Sequence, residues 1–107
     1  MKIWRTPTAA DIAAIAPLLR PEVCATILSC GDTTASAIER TLNMSVFSHI
    51  AFEDTTPLVL WGLAAPAGRI AEWGMPWCMT TAAVDQHRRW FWLQSKRFIE
   101  FCQTVLS

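Results

Sequence analysis

Residues 82–106 contain neither Gly nor Pro, and the side chains of one face recur at helical spacing. Val84, Phe91, Ser95, Phe98, Cys102 and Val105 repeat at steps of three and four, after a first step of seven. Trp90, Leu93, Phe101 and Leu106 widen that face well beyond a narrow seam, and Asp85, Gln86, Arg89, Lys96, Glu100 and Gln103 make the polar side. Such a broad apolar stripe has to be buried, so the rest of the chain must supply a surface for it. The stretch ahead of it, Trp73-Gly-Met-Pro-Trp-Cys-Met-Thr-Thr81, is aromatic and bounded by turn residues. It delivers the chain from a strand into one helix expected to start at Thr81 or Ala82.

The upstream chain supplies that surface. Lys2 to Arg5 reads as a short strand ended by Pro7. Thr8 and Asp11 form a capping-box start for a helix carrying Ile12, Ile15, Leu18 and Leu19, which Pro17 should bend or shorten. Pro21 and Glu22 open a second helix with Val23, Ile27 and Leu28, closed by Gly31. The Asp32-Thr-Thr34 segment caps a third, with Ala35, Ile38 and Leu42, stopping at Asn43. The pattern then turns strand-like. Residues 45–52 and the continuous apolar run 58–65 flank the turn chemistry of 53–57, predicting an antiparallel hairpin whose second strand is buried on both faces. Pro66 and Gly68 break that run, residues 69–73 begin a further strand, and Met75 to Thr80 make the last one, with Pro76 marking an edge or a bulge. The fold class is therefore α+β: a small antiparallel sheet of three or four strands, N-terminal helices and one long C-terminal helix, read as a single domain over residues 1–107.

At 107 residues, a 52% hydrophobic share with only 17% charged residues is a heavy apolar load. Either the core is packed tightly around many Ala, or an apolar face is kept for a partner. Nine basic and nine acidic residues balance, which removes the long-range drive for nonspecific nucleic-acid binding. Cys24, Cys30, Cys78 and Cys102 have no zinc spacing, and no secretory leader pattern opens the chain, so all four read as small buried hydrophobes in a reducing compartment. No apolar run is long enough to predict a transmembrane helix.

The element order, with Thr8-Ala-Ala-Asp-Ile12, Leu18-Leu-Arg-Pro21, Trp61-Gly62, Gly74-Met-Pro-Trp-Cys-Met-Thr-Thr81, Val84-Asp-Gln-His-Arg-Arg-Trp-Phe91 and Ser95-Lys-Arg97, resembles a group of small bacteriophage proteins with GNAT-like sequences. Some of these are internal virion or virion-assembly proteins. The resemblance covers almost the whole chain and implies the N-terminal half of the acetyltransferase fold. It also implies a place for acetyl-coenzyme A: the turn after the fourth strand, whose glycines let backbone N–H groups approach the pyrophosphate. The corresponding run here, residues 80–89, has no glycine and carries Asp85, and the chain has no Tyr to act as the family's acid. If the cofactor binds, Thr80, Thr81, Arg88 and Arg89 would hold it.

The remaining candidates are weaker. His87-Arg88-Arg89 with Lys96-Arg97, interleaved by Trp90 and Trp92, could contact nucleic acid, but zero net charge favours solvated side chains covering an apolar face. His49, within a strand, and Glu72 are the acid–base candidates, and no metal-ligand spacing or catalytic triad is recognisable. Six tryptophans exceed the needs of one small core. Trp73, Trp77, Trp90 and Trp92 are the candidate partner-binding residues, with Trp90 and Trp92 directed to opposite sides of the helix. A sheet ending at the last strand would expose an edge that invites another chain. The expectation is a phage-encoded, non-enzymatic GNAT-like protein in the host cytoplasm or virion, with no resident cofactor, acting on itself or on a phage or host protein. It would be a virion-assembly component or a host-directed inhibitor. The alternative is an acetyl-coenzyme A-dependent N-acetyltransferase completed by oligomerisation.

Overall fold

The computed structural model describes residues 2–23, 33–64 and 74–106. In order the elements are β1 (Lys2–Arg5), α1 (Ala9–Ile15), a 3-10 turn (Ala16–Leu18), α2 (Thr34–Asn43), β2 (Ser45–Glu53), β3 (Thr56–Ala64), β4 (Met75–Thr80), a 3-10 segment (Ala82–His87) and α3 (Arg88–Leu106). The strands make one antiparallel sheet in the order β1-β2-β3-β4. This is the α+β class expected from the sequence. Residues 21–23 are helical, as Pro21 predicts. The rest of that second helix, with Cys24 and Cys30, lies outside the described residues, as do the expected 69–73 strand, Glu72 and Trp73.

Local chemistry explains the boundaries. The Thr8 hydroxyl accepts the Asp11 N–H at 3.2 Å, and the Asp11 carboxylate accepts the Thr8 N–H at 3.0 Å. This reciprocal box starts α1. Pro17 then converts the chain to a 3-10 turn. Thr33, within the segment expected to cap it, starts α2 by accepting the Ser36 N–H at 3.2 Å. Strand β3 begins two residues before the apolar run and includes Pro57, so the turn shrinks to Asp54 and Thr55 between the paired Glu53 and Thr56. Asp54 takes a left-handed φ of 55°, which short polar side chains tolerate better than most.

Residues 57–64 of β3 are all buried, as a strand covered on both faces requires. One face packs Ile15, Leu19, Ile38, Ile50, Phe52 and Leu60, the side of α1 and α2. The other packs Ala51, Leu58, Val59, Trp61 and Val84, with Trp90, Phe91 and Phe98 from α3. The helix stripe is thus buried largely where the sequence predicts. The side chains of Val105 and Leu106 lie outside the description, and among the described ones two depart from the stripe. Leu93 is 39% exposed, because at 3.6 residues per turn it lies far from the Phe91–Phe98–Cys102 line. Phe101 is 52% exposed at the margin of the sheet contact.

Cys102 is buried, but Cys78 is exposed, which corrects the expectation that all cysteines are core. Cys78 alternates with Trp77 and Met79, and those two face the α1–α2 side. Its own face of the edge strand is left largely uncovered. The sequence also predicts a single helix from Thr81 or Ala82, whereas six residues of 3-10 helix precede α3. The Thr81 N–H is tied to the Leu58 carbonyl at 3.0 Å, and the Val84 N–H bonds Thr81 at the tighter three-residue spacing.

Gly62 has a steric role. A Cβ there would lie 2.6 Å from the Phe47 carbonyl oxygen and 2.7 Å from the Trp77 ring. The Trp77 Nε1–H donates to Ser45 Oγ at 2.8 Å, which fixes the indole over that gap. Replacing Gly62 with Ala should lower unfolding stability by about 1–3 kcal/mol in urea titration, since neither backbone nor a hydrogen-bonded indole can yield cheaply. A loss below about 0.5 kcal/mol, the size of an unremarkable surface change, would contradict this packing.

Asp11 gives a pH-dependent prediction. It is 4% exposed and takes two bonds from the Arg5 guanidinium, at 3.0 and 2.5 Å. The Arg5 hydrogen bonds outweigh the cost of burial and, helped by Thr8, hold its carboxyl at about 2 instead of 3.8. A depressed folded-state pKa stabilises the fold above the unfolded value and is lost as pH falls toward 2. Asp11→Asn should cost about 1–2 kcal/mol at pH 7, after allowing for the exposed side of Arg5. The difference from wild type should disappear near the bottom of that range, as urea unfolding at a series of pH values will show.

Candidate functional site

Two places gather polar or aromatic groups in a geometry that can act on something else. The first is the turn joining β4 to α3, where the resemblance places a cofactor loop. Thr81 is 2% exposed, and its hydroxyl lies 2.8 Å from the Pro57 carbonyl and 3.2 Å from that of Leu58. It is a structural pin between β3 and the 3-10 segment. The Thr80 hydroxyl accepts the Arg20 Nε–H at 2.8 Å. The same guanidinium forms a two-pronged ion pair with Asp85, one arm at 3.3 Å and the other shorter. The pairing draws the Asp85 carboxyl below its ordinary range, first through the Arg20 hydrogen bonds and further through the positive charges of Arg20 and Arg88. Thr80, Thr81 and Asp85 are therefore engaged within the chain. Arg88 and Arg89 are exposed and carry no hydrogen bond or ion pair among the described residues.

Arg20 also modifies the edge-strand expectation. β4 ends the sheet, but the Arg20 N–H donates to the Thr80 carbonyl at 3.0 Å, and Leu19 makes a bridge with Thr81. The C-terminal end of β4 is closed by the chain's own Leu19–Arg20 segment. Among the described residues no strand pairs with the outer side of 75–79.

The structure separates the candidate tryptophans. Trp77 is half-buried, bonded to Ser45 and packed with the α1–α2 cluster. Trp90 is half-buried, 5.8 Å from the Trp4 ring and stacked at 6.4 Å on Trp61, with the Lys2 ammonium 5.3 Å from its centroid. Trp92 is 65% exposed, with Lys96 beside it at 5.8 Å. The opposite directions expected of Trp90 and Trp92 are what the helix produces, and Trp92 is the one that leaves the core. Ile99, two turns on, shares its flank and is 43% exposed.

The second place is a cleft of about 320 Å³ between the sheet and α3. Its sheet side is Trp4, His49 and Trp61, and its helix side is Gln94, Arg97, Phe98 and Phe101. The sequence singles out His49 for acid–base work. Its ring instead meets the edge of Trp4 at 6.4 Å and sits 6.0 Å from Phe47, with no hydrogen bond among the described residues. No Ser, Thr, Cys, Lys, Asp or Glu lies among the residues lining the cleft, and groups of three or more His, Cys, Asp or Glu placed to hold a metal are absent among the described residues. The cleft can bind an apolar or aromatic group, with polar atoms at its rim. Sequence reasoning does not bring Trp4, Trp61 and Arg97 together. Register does: Trp4 pairs with Ala51 and His49 with Trp61, placing their rings on one face. Arg20 is missed for the same reason, since 65 residues separate it from Asp85.

No family model, no curated protein and no solved structure matches the chain. No helix among the described residues is long and apolar enough to cross a membrane.

The Thr81 pin is testable. Thr81→Val keeps the branched shape but removes the hydroxyl, leaving buried carbonyls without that donor. Unfolding stability should fall by about 1–2 kcal/mol. Amide exchange should accelerate first at Val84 and through the 3-10 segment, as heteronuclear NMR can follow.

Proposed function

We propose that this is a bacteriophage-encoded, GNAT-like protein that acts by protein–protein contact without acetyltransferase chemistry, as a virion-assembly component or a host-directed inhibitor. It would work in the host cytoplasm or the virion. The observation that carries the reading is that Thr80, Thr81 and Asp85 of the β4–α3 turn are already engaged within the chain. Arg20 fills the polar surface there, with Thr80 and Asp85 as its partners. An incoming pyrophosphate would have to displace a carboxylate already paired to that guanidinium, and would meet its negative charge. The exposed apolar side chains add a positive argument. Trp92, Ile99 and Met75 are 65%, 43% and 58% exposed, and tryptophan is enriched where binding energy concentrates.

One observation favours the alternative of an acetyl-coenzyme A-dependent enzyme completed by oligomerisation: Arg88 and Arg89 stand exposed at the first turn of α3. They could reach phosphate groups without disturbing Arg20.

Two measurements decide between them. Calorimetric titration with acetyl-coenzyme A should give no saturable heat, and micromolar binding lost on Arg88→Glu would overturn the contact reading. In cells expressing the gene during infection, a photo-crosslinking residue at position 92 should yield a discrete adduct. The same residue at Glu39, exposed on α2, should not. Equal labelling from both positions would remove Trp92 from the contact.

A further inference from the structure

We infer that the cleft between β1, β2, β3 and α3 is a binding site for a flat aromatic acid, whose ring lies in the cleft lined by Trp4, Trp61, Phe98 and Phe101 and whose carboxylate meets Arg97. This goes beyond the partner reading and does not depend on it.

The cavity has the right scale and chemistry. Its 320 Å³ falls at the lower end of the about 300–1,000 Å³ typical of small-molecule sites. Such sites are mostly apolar, with a few polar groups that set orientation. Here the apolar part is aromatic on both sides. Trp61 is 2% exposed, so it forms the closed floor. Phe98 and Phe101 are held by Phe47, which stands edge-on to them at 5.9 Å and 5.2 Å. Trp4 sits 4.7 Å from Trp61 with its plane tilted by 57°, and meets His49 edge-on at 78°. At these separations the rings touch one another, so a ligand ring packs against them from the open side of the cleft. The faces and edges they leave uncovered are the surfaces that a ligand ring uses for stacked and T-shaped contact. Trp4 and Phe101 are 38% and 52% exposed at the mouth, so a ligand would remove apolar surface from water that the fold alone leaves wet.

The polar rim selects the sign of the ligand. Arg97 lines the cleft and has no ion pair or hydrogen bond among the described residues. Its planar fork suits a carboxylate. His49 and Gln94 add hydrogen-bonding capacity on either side of it. None of the lining residues is acidic. Glu100, the nearest acid along the helix from Arg97, is rotated a further sixty degrees or so away from the cleft by the helical period. Lys2, at the Trp90 end of the same face, is held by Glu53 at 3.1 Å. A cationic ligand would face a guanidinium with no ion pair among the described residues, whereas an anionic one would neutralise it.

The test uses 1-naphthaleneacetate and its cationic counterpart 1-naphthylmethylamine, titrated into the full chain by calorimetry and by two-dimensional NMR of the indole N–H signals. The acid should bind saturably, with a Kd near or below about 1 mM for a ligand of this size. The amine should bind at least about tenfold more weakly, the discrimination a charge-assisted contact provides. The Trp4 and Trp61 signals should move and that of Trp92 should stay. Arg97→Gln should weaken the acid to the level of the amine, and Arg97→Lys should recover part of the loss. Arg97 is exposed, so these variants should fold, and unchanged thermal midpoints will show it. Failure of the acid to saturate, equal binding of acid and amine, or shifts at Trp92 in place of Trp4 and Trp61 would overturn the assignment.

Discussion

The Trp61 indole is the contact on which the α3 side of the molecule depends. It is buried in the central strand β3 and meets Trp4 from β1 and Trp90, Phe91 and Phe98 from α3. Indoles and phenyl rings bury large areas, and tilted or edge contacts add to the area term. The first strand and the last helix, distant in sequence, are thereby fastened to one side chain. An aliphatic residue at 61 would still be apolar but would not span the gap. The aromatic richness that looks excessive for a small core has a definite location: it is the adhesive between the sheet and one helix.

The opposite face is built differently. Ile15, Leu19, Ile38, Ile50 and Leu60 pack as interlocking aliphatics beside Phe52, and the Trp77 indole is accommodated because Gly62 beneath it has no side chain. Two arginine–carboxylate pairs then tie the sheet margins to what lies over them. Arg5 of β1 grips Asp11 of α1, and Arg20 grips Asp85 beyond β4. The first pair is short in sequence and nearly buried on its acidic side, so it contributes to stability. The second is exposed, and screening by water limits its energetic worth. Its consequence is chemical: it holds a guanidinium between the Thr80 hydroxyl and the Asp85 carboxylate at the turn into α3.

Much of the architecture was legible because local chemistry and global fold agree. The Thr8–Asp11 box, Pro17, the apolar run of β3 and the gap-free helix each point to the element that forms. What escaped is non-local. The start of α3 is displaced because Thr81 bonds to β3 carbonyls, a contact invisible in helical periodicity. Cys78 is exposed because strand alternation gives its face but not whether anything covers that face. The position of Arg20 follows from how the chain passes β4 after α1, and no motif encodes it. The cleft is harder still, since it depends on strand register and on the angles between rings.

The helical period gives the two apolar features of α3 different fates. Trp90, Gln94, Arg97 and Phe101 lie on one flank, and Trp92, Lys96 and Ile99 lie on the other, about half a turn away. The first flank closes over the sheet and forms the cleft. The second turns from it and leaves Trp92 in water. A partner resting on Trp92 and Ile99 would not cover the cleft mouth, so both surfaces can be occupied together. They are also joined by a rigid element, since α3 has no Gly or Pro to bend at. A ring seated in the cleft against Phe98 would bear on the same helix that carries Trp92. Any coupling between the two surfaces would therefore run through the seating of α3 on Trp61, the same contact that holds this side of the fold together.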